Sequence, residues 1–472
     1  MELFSNQPGD EGLPGRQRAL AMVAVMISTT MAVFDGSMVN IALPQMARAL
    51  NASAAGAVWI ANGYLLSAAM TLAIFAALAT RLGFRLLFAF GLTLFTLASL
   101  GCALSSSLTM LVAMRVLQGI GGAATLSIAP AILRSVFPDR LLGRILGLNA
   151  LLIASVTALA PVCGGALLAG FGWPWLFAIN IVPGIIALAF TLRVIPGKRA
   201  IASGPFDTPG ALLSALLLGA AVMACDALSH RQALPVALAY GLAALLAAAA
   251  FAHRLRRAPQ PLLPPALFAS SRFSLAALTS LASFVSQGMT FVALPFLFQN
   301  VYGYSAFDSA LLFTAWPVGI ILVAPHAGRL ADRYTPAVIA TSGLCLFSLG
   351  LLLLAQLPDN AHAWDISLRG FICGIGFGCF QSPNNREMLA NASRQHSGYA
   401  SGVLAIMRTF GQCLGAAFVG VMLAVFAPDG GIAQEEQAVR IALWLALAAT
   451  LLALAFSLTR LRQVSQRERA GR

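Results

Sequence analysis

Residues 31–44 read MAVFDGSMVNIALP, and residues 283–295 read SFVSQGMTFVALP. Both close on Ala-Leu-Pro, 251 positions apart, inside the apolar runs 19–44 and 273–300. Two further matches keep nearly that spacing. AALATR (76–81) faces GRLADR (328–333), and RVLQGIGG (115–122) faces RGFICGIGFG (369–378). Any one match is weak; three in order at an almost constant offset mark an internal repeat. An apolar run of ~20 residues crosses a ~30 Å hydrocarbon core as a helix, so the repeat describes two parallel halves of a polytopic membrane protein.

Composition agrees. The 472 residues are 59% hydrophobic and 10% charged, with a mean hydropathy of +0.85, whereas soluble domains carry about 25% charged residues. The net charge of +13 does not indicate a nucleic-acid partner, because the excess sits in short loops between apolar segments. The seven cysteines (102, 163, 225, 345, 373, 379 and 413) lie within apolar segments without CxxC spacing, so neither a metal site nor a disulfide framework is expected. The run after Arg16 and Arg18 is about twice a typical signal-peptide core of 7–15 residues, which reads as an uncleaved first span.

Fourteen spans are expected, the first over 19–44 and the last over 438–459. With the N-terminus inside, twenty-three of the twenty-nine basic residues, Lys198 among them, fall on the inner side, and three (Arg48, Arg231, Arg440) fall outside. That bias places both termini in the cytoplasm. The domain plan is a leader (1–18), a first six-helix half (19–193), two additional helices with linkers (194–272), a second six-helix half (273–459) and a basic tail (460–472). Parallel halves related by an axis along the membrane normal are a transporter architecture, with the substrate path between them.

The motifs make the resemblance specific. FDGSMVNIALP (34–44), RVLQGIGGA (115–123), APVCGG (160–165), SPNNREML (382–389) and GYASGVLAIMRTFGQCLGAA (398–417) together resemble the fourteen-span drug:proton antiporters of the major facilitator superfamily. The resemblance covers nearly the whole chain. It implies an all-α major facilitator fold and proton-coupled efflux of amphiphilic compounds, including drugs and biocides, through a bacterial inner membrane. Two departures stand out. The loop expected to read roughly G-x-L-A-D-R-x-G-R has Ala76 and Thr80 for its glycine and aspartate, while the second copy keeps Gly328, Asp332 and Arg333. The fifth-span motif has Ala160 before Pro161.

Of sixteen acidic residues, Asp35 alone lies deep in a span. Such a group costs about 2.5–3.5 kcal/mol to insert on lenient scales, and it is a functional candidate by default. Desolvation favours a neutral carboxyl group and a nearby cation favours the charged form, so a carboxyl so placed can take a proton in one state and release it in another. Arg115 is the expected partner; its guanidinium stays charged and cannot itself carry the proton. For Arg369 and Arg408, two readings stand: pairing to helix carbonyls, or function. One Asp against three Arg within the spans disfavours a highly cationic substrate. A lipophilic monocation, a neutral amphiphile or a weak acid fits.

Candidate substrate contacts are Asp35, Trp59, Asn62, Tyr64, Gln118, Gln287, Phe291 and Trp316, with the four aromatics as a pocket wall. Gating candidates are Arg81, Gly83, Arg85, Pro161, Gly164, Gly165, Gly328, Asp332 and Arg333. Asp226 reads as a solvated residue at the end of the seventh span, and Glu387 as half of a helix-end pair with Arg386. No P-loop and no nucleophile–base arrangement is present, so no cofactor and no enzymatic activity is expected, and an ion gradient would supply the energy. Expected partners are protons, a small amphiphile and the lipid bilayer; no signature of a periplasmic adaptor or outer-membrane channel can be read. A proton-coupled carrier of a specific metabolite, peptide or siderophore is the alternative, followed by a transport-inactive sensor or scaffold.

Overall fold

The computed structural model describes residues 12–197, 205–229, 234–391 and 397–470. Most of the 1–18 leader, Lys198 and the last residues of the tail lie outside them, as does the side chain of Asp332. The described residues are helical, without strands. Fourteen long helices follow one another: α1 (Gly15–Ala49), α2 (Ala54–Leu82), α3 (Phe84–Ala103), α4 (Leu108–Val136), α5 (Asp139–Gly170), α6 (Pro174–Val194, with a break near Asn180) and α7 (Thr208–Leu228). They continue as α8 (Leu234–Arg257), α9 (Ser271–Val301, its last turn a π-helix), α10 (Ala306–Arg333), α11 (Pro336–Ala355), α12 (Ala363–Ala390), α13 (Ser397–Phe426) and α14 (Ile432–Ala470).

Thirteen of them are long and apolar enough to cross a membrane. The exception is α12, which carries Asp365, Arg369, Gln381, Asn384, Asn385, Arg386 and Glu387. It packs between α10 and α11; Arg369 reaches Leu353 O of α11, Asn384 pairs with α9 and α14, and Glu387 pairs with α14. At the other extreme is α8, which packs chiefly on α7 and leaves Leu238, Leu242, Leu245 and Leu246 exposed. A helix apolar on its outer face suits a lipid surround.

The repeat recurs in the local chemistry of the helix ends. Ser53 caps α2 by accepting the N–H of Gly56, and Ser305, 252 residues later, caps α10 by accepting the N–H of Asp308. Each cap satisfies one of the donors that a helix start leaves orphaned. Pro44 and Pro295 of the two Ala-Leu-Pro copies sit near the ends of α1 and α9.

Packing repeats in the same register. In the first half α2 packs on α4, α3 on α4 and α6, and α1 on α5 and α6. In the second half α10 packs on α12, α11 on α12 and α14, and α9 on α13 and α14. Every pair is shifted by eight helices, which makes the two bundles six-helix copies with α7 and α8 inserted between them. The halves meet through α2 with α13 and α5 with α10, two contacts that the same shift exchanges, and through α1 with α9.

The halves are sealed at one end of the bundle. Arg48 at the end of α1 donates to Asn300 of α9 (2.7 Å), which donates to Glu435 of α14 (2.8 Å). The Gln299 amide donates to the carbonyl of Ile41 (2.8 Å). Beneath them one apolar core runs from Met38, Leu43 and Met46 into Val292, Leu297 and Phe298. A Cβ on Gly165 of α5 would lie 2.8 Å from the Cβ of Ala310 and 3.0 Å from the Cα of Phe307, both on α10. Only glycine lets the halves approach so closely there.

Candidate functional site

Asp35 sits in the middle of α1, and the helices around it converge on its carboxylate. Arg115 of α4 forms a hydrogen-bonded ion pair with Oδ2. Gln118, one turn further along α4, donates its amide to Oδ1 (2.9 Å), and Asn180, at the break in α6, reaches Oδ1 at 3.4 Å. Spacing explains the first two: residues three apart on a helix share a face. Asp35 and Gln118 are 0% exposed and Arg115 is 1% exposed.

The guanidinium is itself held in place. Its Nε donates to the carbonyl of Ile60 on α2 (2.8 Å), and one of its terminal nitrogens donates to Oε1 of Gln118 (2.6 Å). The Tyr64 ring lies 4.5 Å and the Phe177 ring 5.6 Å from its carbon, within cation–π range. The Gln118 amide also donates to Ser99 of α3 (2.9 Å). The network joins five helices of the first half, with no member from the second. Ser99 and Asn180 escaped the sequence reading, because a neutral polar residue in a membrane helix carries no pattern of its own.

The second half builds its equivalent positions differently. Ser286, where Asp35 would fall, accepts from Thr450 (2.8 Å). Arg369, the counterpart of Arg115, takes Asp365 of its own helix (2.9 Å) and the carbonyl of Leu353. Its structural role is thus apparent from geometry, and at these equivalent positions the acid–base pair across helices belongs to the first half alone.

The other candidates scatter. Phe291 and Trp316 stack edge to face at 5.2 Å inside the second half, joined by Phe313, Phe347 and Phe377. Tyr64 faces Arg115, and Trp59 points the other way, so the four aromatics do not form one wall. Gln287 accepts from Gln412 of α13 (3.0 Å). In the orientation that satisfies both of its ends, the Asn62 amide donates to the carbonyl of Cys413 (3.0 Å) and accepts from Ala417 N–H (3.3 Å). It therefore ties α2 to α13 across the halves.

Two acidic residues differ from expectation. Asp226 is half-buried and accepts from the Trp59 indole (2.7 Å). Both line a cavity of about 550 Å³ between α2, α7 and α13, with Asn62, Ser229 and Gly420. A position near a helix end gave no hint of this partner, 167 residues away. The Glu387 carboxylate faces Arg460 of α14 (3.3 Å), and that arginine also donates to Asn384 and Ser457. Arg460 is completely buried, although its place beyond the last apolar run reads as the start of the basic tail.

At the far end of α2, Arg81 donates to Pro205 O and to Gln260 (both 3.2 Å) and lies 5.6 Å from the Phe206 ring. The linkers of the inserted pair thus meet the loop that lacks its aspartate. Thr80 turns back to the carbonyl of Ala77 (2.9 Å). Gly83, at φ 96°, makes the turn into α3 with a backbone that only glycine adopts readily, and Arg85 lies beside Gly197. Pro161 is inside α5, and a Cβ on Gly164 would come within 2.7 Å of Met38. In the second copy Gly328 lies against Ser382, and Arg333 is exposed.

Comparison with known proteins agrees with this architecture. Residues 25–416 match the family model described as Major Facilitator Superfamily. The chain is 39% identical over 421 residues to the uncharacterized transporter YebQ of Escherichia coli, covering 89% of this chain and 92% of that one. It is 32% identical to the tetracenomycin C resistance and export protein of Streptomyces glaucescens (88% and 77% covered) and 28% identical to the riboflavin transporter RibZ of Clostridioides difficile (85% and 88%). Among solved structures, a bacterial homologue of the lysosomal transporter Spinster, inward-facing and unoccupied, superposes with a TM-score of 0.70 at 16% identity, over 97% of this chain and 98% of that one.

Proposed function

The chain belongs to the major facilitator superfamily, and from that premise we propose that it exports amphiphilic compounds in exchange for protons. It is a multi-pass membrane transporter rather than an enzyme. The observation that carries the reading is the Asp35 carboxylate, fully buried and bound by Arg115 and Gln118. A carboxyl group that deep can alternate between a neutral, protonated form and an anion paired to Arg115. The protonated form has no ion pair to make, so Arg115 is released toward Gln118, Ile60 O and Tyr64. Protonation therefore changes how α1 and α4 hold each other, and α1 also contacts α9 of the other half.

The sealed end, marked by Arg48, faces outward in this reading, which puts both termini in the cytoplasm of a bacterium and leaves the path between the halves open to the inside. Substrate enters there. Proton entry from outside and rocking about the α2–α13 and α5–α10 contacts then reverse the seal. Relatives named for drug resistance and export support an amphiphilic cargo, and RibZ supports a specific metabolite as the alternative.

Energised inside-out vesicles test the proposal. Exported compounds from a panel of dyes, biocides and antibiotics should dissipate a proton gradient in vesicles with the native protein, and not with Asp35→Asn. Transport by Asp35→Asn with unchanged proton coupling removes Asp35 from the mechanism. A protein that binds these compounds without flux in proteoliposomes is a sensor or scaffold.

A further inference from the structure

The interface between the halves contains a cation that the Asp35 network does not use. Arg408 lies on α13, 11 residues from one end of the helix and 18 from the other, so its Cα is roughly 17 Å from the nearer end. The other arginines within spans are occupied: Arg115 by Asp35, Arg369 by Asp365 and Leu353 O. Among the described residues no carboxylate and no backbone carbonyl pairs with Arg408. Its electrostatic neighbour is Tyr64 of α2, on the other half.

The surroundings of Arg408 are polar and incompletely satisfied. Gln412 lies one turn along the same face of α13 and donates to Gln287 of α9. Ser283, one turn before Gln287 on α9, is buried with its hydroxyl unpartnered. The two helices run parallel and in contact, with Gly411 against Phe284 and Gly288 against Gln412, which sets Ser283 level with Arg408. On the flank of α13, Ile406, Phe410 and Cys413 pack into the apolar core of the first half. The result is a guanidinium with hydroxyl and amide groups on one side and an apolar wall on the other, where the halves meet.

Arg408 is half-buried, with no anion of the protein beside it, and a guanidinium cannot become neutral by losing a proton, so its charge is left for an anion that enters between the halves. The Asp35–Arg115 pair cancels its own charge, and Asp226, at the α2–α7–α13 cavity, is held by Trp59, so neither carboxylate answers the charge of Arg408. We infer that Arg408 is an anion subsite between the halves and that the cargo is an amphiphilic weak acid bound as its anion. The acid group meets Arg408 with Ser283 and Gln412 at hand, and the apolar body lies against the flank of Ile406 and Phe410. The inference rests on the export reading and narrows its substrate from amphiphiles in general to organic anions.

Fluorescein and rhodamine 6G share a xanthene ring system and carry opposite charge, which makes them suitable probes. Their binding to the purified full-length protein in detergent is followed by fluorescence anisotropy. The native protein is expected to bind fluorescein more tightly than rhodamine 6G. Arg408→Gln should weaken fluorescein by about tenfold or more, the loss of one charge-assisted contact, and leave rhodamine 6G unchanged. Arg408→Lys, which keeps a point charge, should recover part of the loss.

Equal or tighter binding of rhodamine 6G by the native protein, or binding of neither dye, overturns the inference. So does unaltered fluorescein binding in monodisperse Arg408→Gln. The native selectivity decides the matter even if that variant does not fold. Fluorescein that binds at Arg408 and is not moved in proteoliposomes overturns the export reading and leaves the anion subsite standing.

Discussion

Asp35 on α1 and Arg115 on α4 form an ion pair at 0% and 1% exposure, and every side chain that steadies it belongs to the same half of the molecule. The pair is thus internal to one bundle, and it reaches the other bundle through α1, which meets α9, and through α2, which holds Arg115 and packs on α13. That placement separates the buried carboxylate from the face where the halves meet.

The two partners differ in what each can do when left alone. Breaking a buried pair costs about 3–5 kcal/mol when an uncompensated charge remains. In Asp35→Asn the remaining charge is a guanidinium, which stays charged. In Arg115→Gln the remaining carboxyl group can take up a proton and become neutral. Thermal unfolding of the purified proteins should therefore show a larger loss for Asp35→Asn than for Arg115→Gln. Equal losses mean that the pair contributes through packing alone.

Gly165 controls how closely α5 and α10 meet. A leucine there has no room in the state described, since even a Cβ would meet Ala310 at 2.8 Å. Overpacking costs about 1–3 kcal/mol, which against the alternative state is a shift of roughly 5- to 150-fold. Spin labels near the Arg48 end of α5 and α10 should report a longer distance in Gly165→Leu, with transport slowed. An unchanged distance distribution refutes the account of the seal.

Arg48 and Asn300 bridge the same end with a hydrogen bond exposed to solvent. Exposed polar contacts of this kind are worth about 0–1 kcal/mol. Arg48→Ala should therefore shift the ratio of the short- and long-distance populations by a factor of about five at most, toward the low end of the range for Gly165→Leu. A larger effect would show that the Asn300–Glu435 extension of the bridge acts as a unit.

The sequence made some of this legible and hid the rest for a physical reason. Asp35 and Arg115 stood out because charge is rare in apolar helices, and the Ala-Leu-Pro copies placed them in one half. Helix faces did not stand out. A membrane helix is apolar all round, so the amphipathic pattern that orients a soluble helix is missing. Hence Trp59, Tyr64, Phe291 and Trp316 were assigned to the correct spans and wrongly grouped into one wall. Asp226 and Arg460 show the matching error for charge: near the end of an apolar run, hydropathy cannot distinguish a residue facing water from one held by a neighbouring helix. Trp59 holds Asp226, and Glu387 and Asn384 hold Arg460.

The Trp59–Asp226 bond joins α2 to the inserted pair, whose other helix has little else to rest on. Hydrogen bonds to charged groups contribute about 1.5–3 kcal/mol, and half-burial puts this one at the low end. Trp59→Phe keeps the ring and removes the donor; Asp226→Asn keeps an acceptor and removes the charge. A thermal-unfolding cycle with the double variant should give a coupling of about 1–2 kcal/mol, as for contacting residues. Neither variant touches the Asp35 network, so protons released per exported molecule should stay at the native ratio. Loss of proton coupling in Trp59→Phe would instead place the inserted pair inside the coupling mechanism, through Ile60, the next residue of α2, whose carbonyl accepts from Arg115.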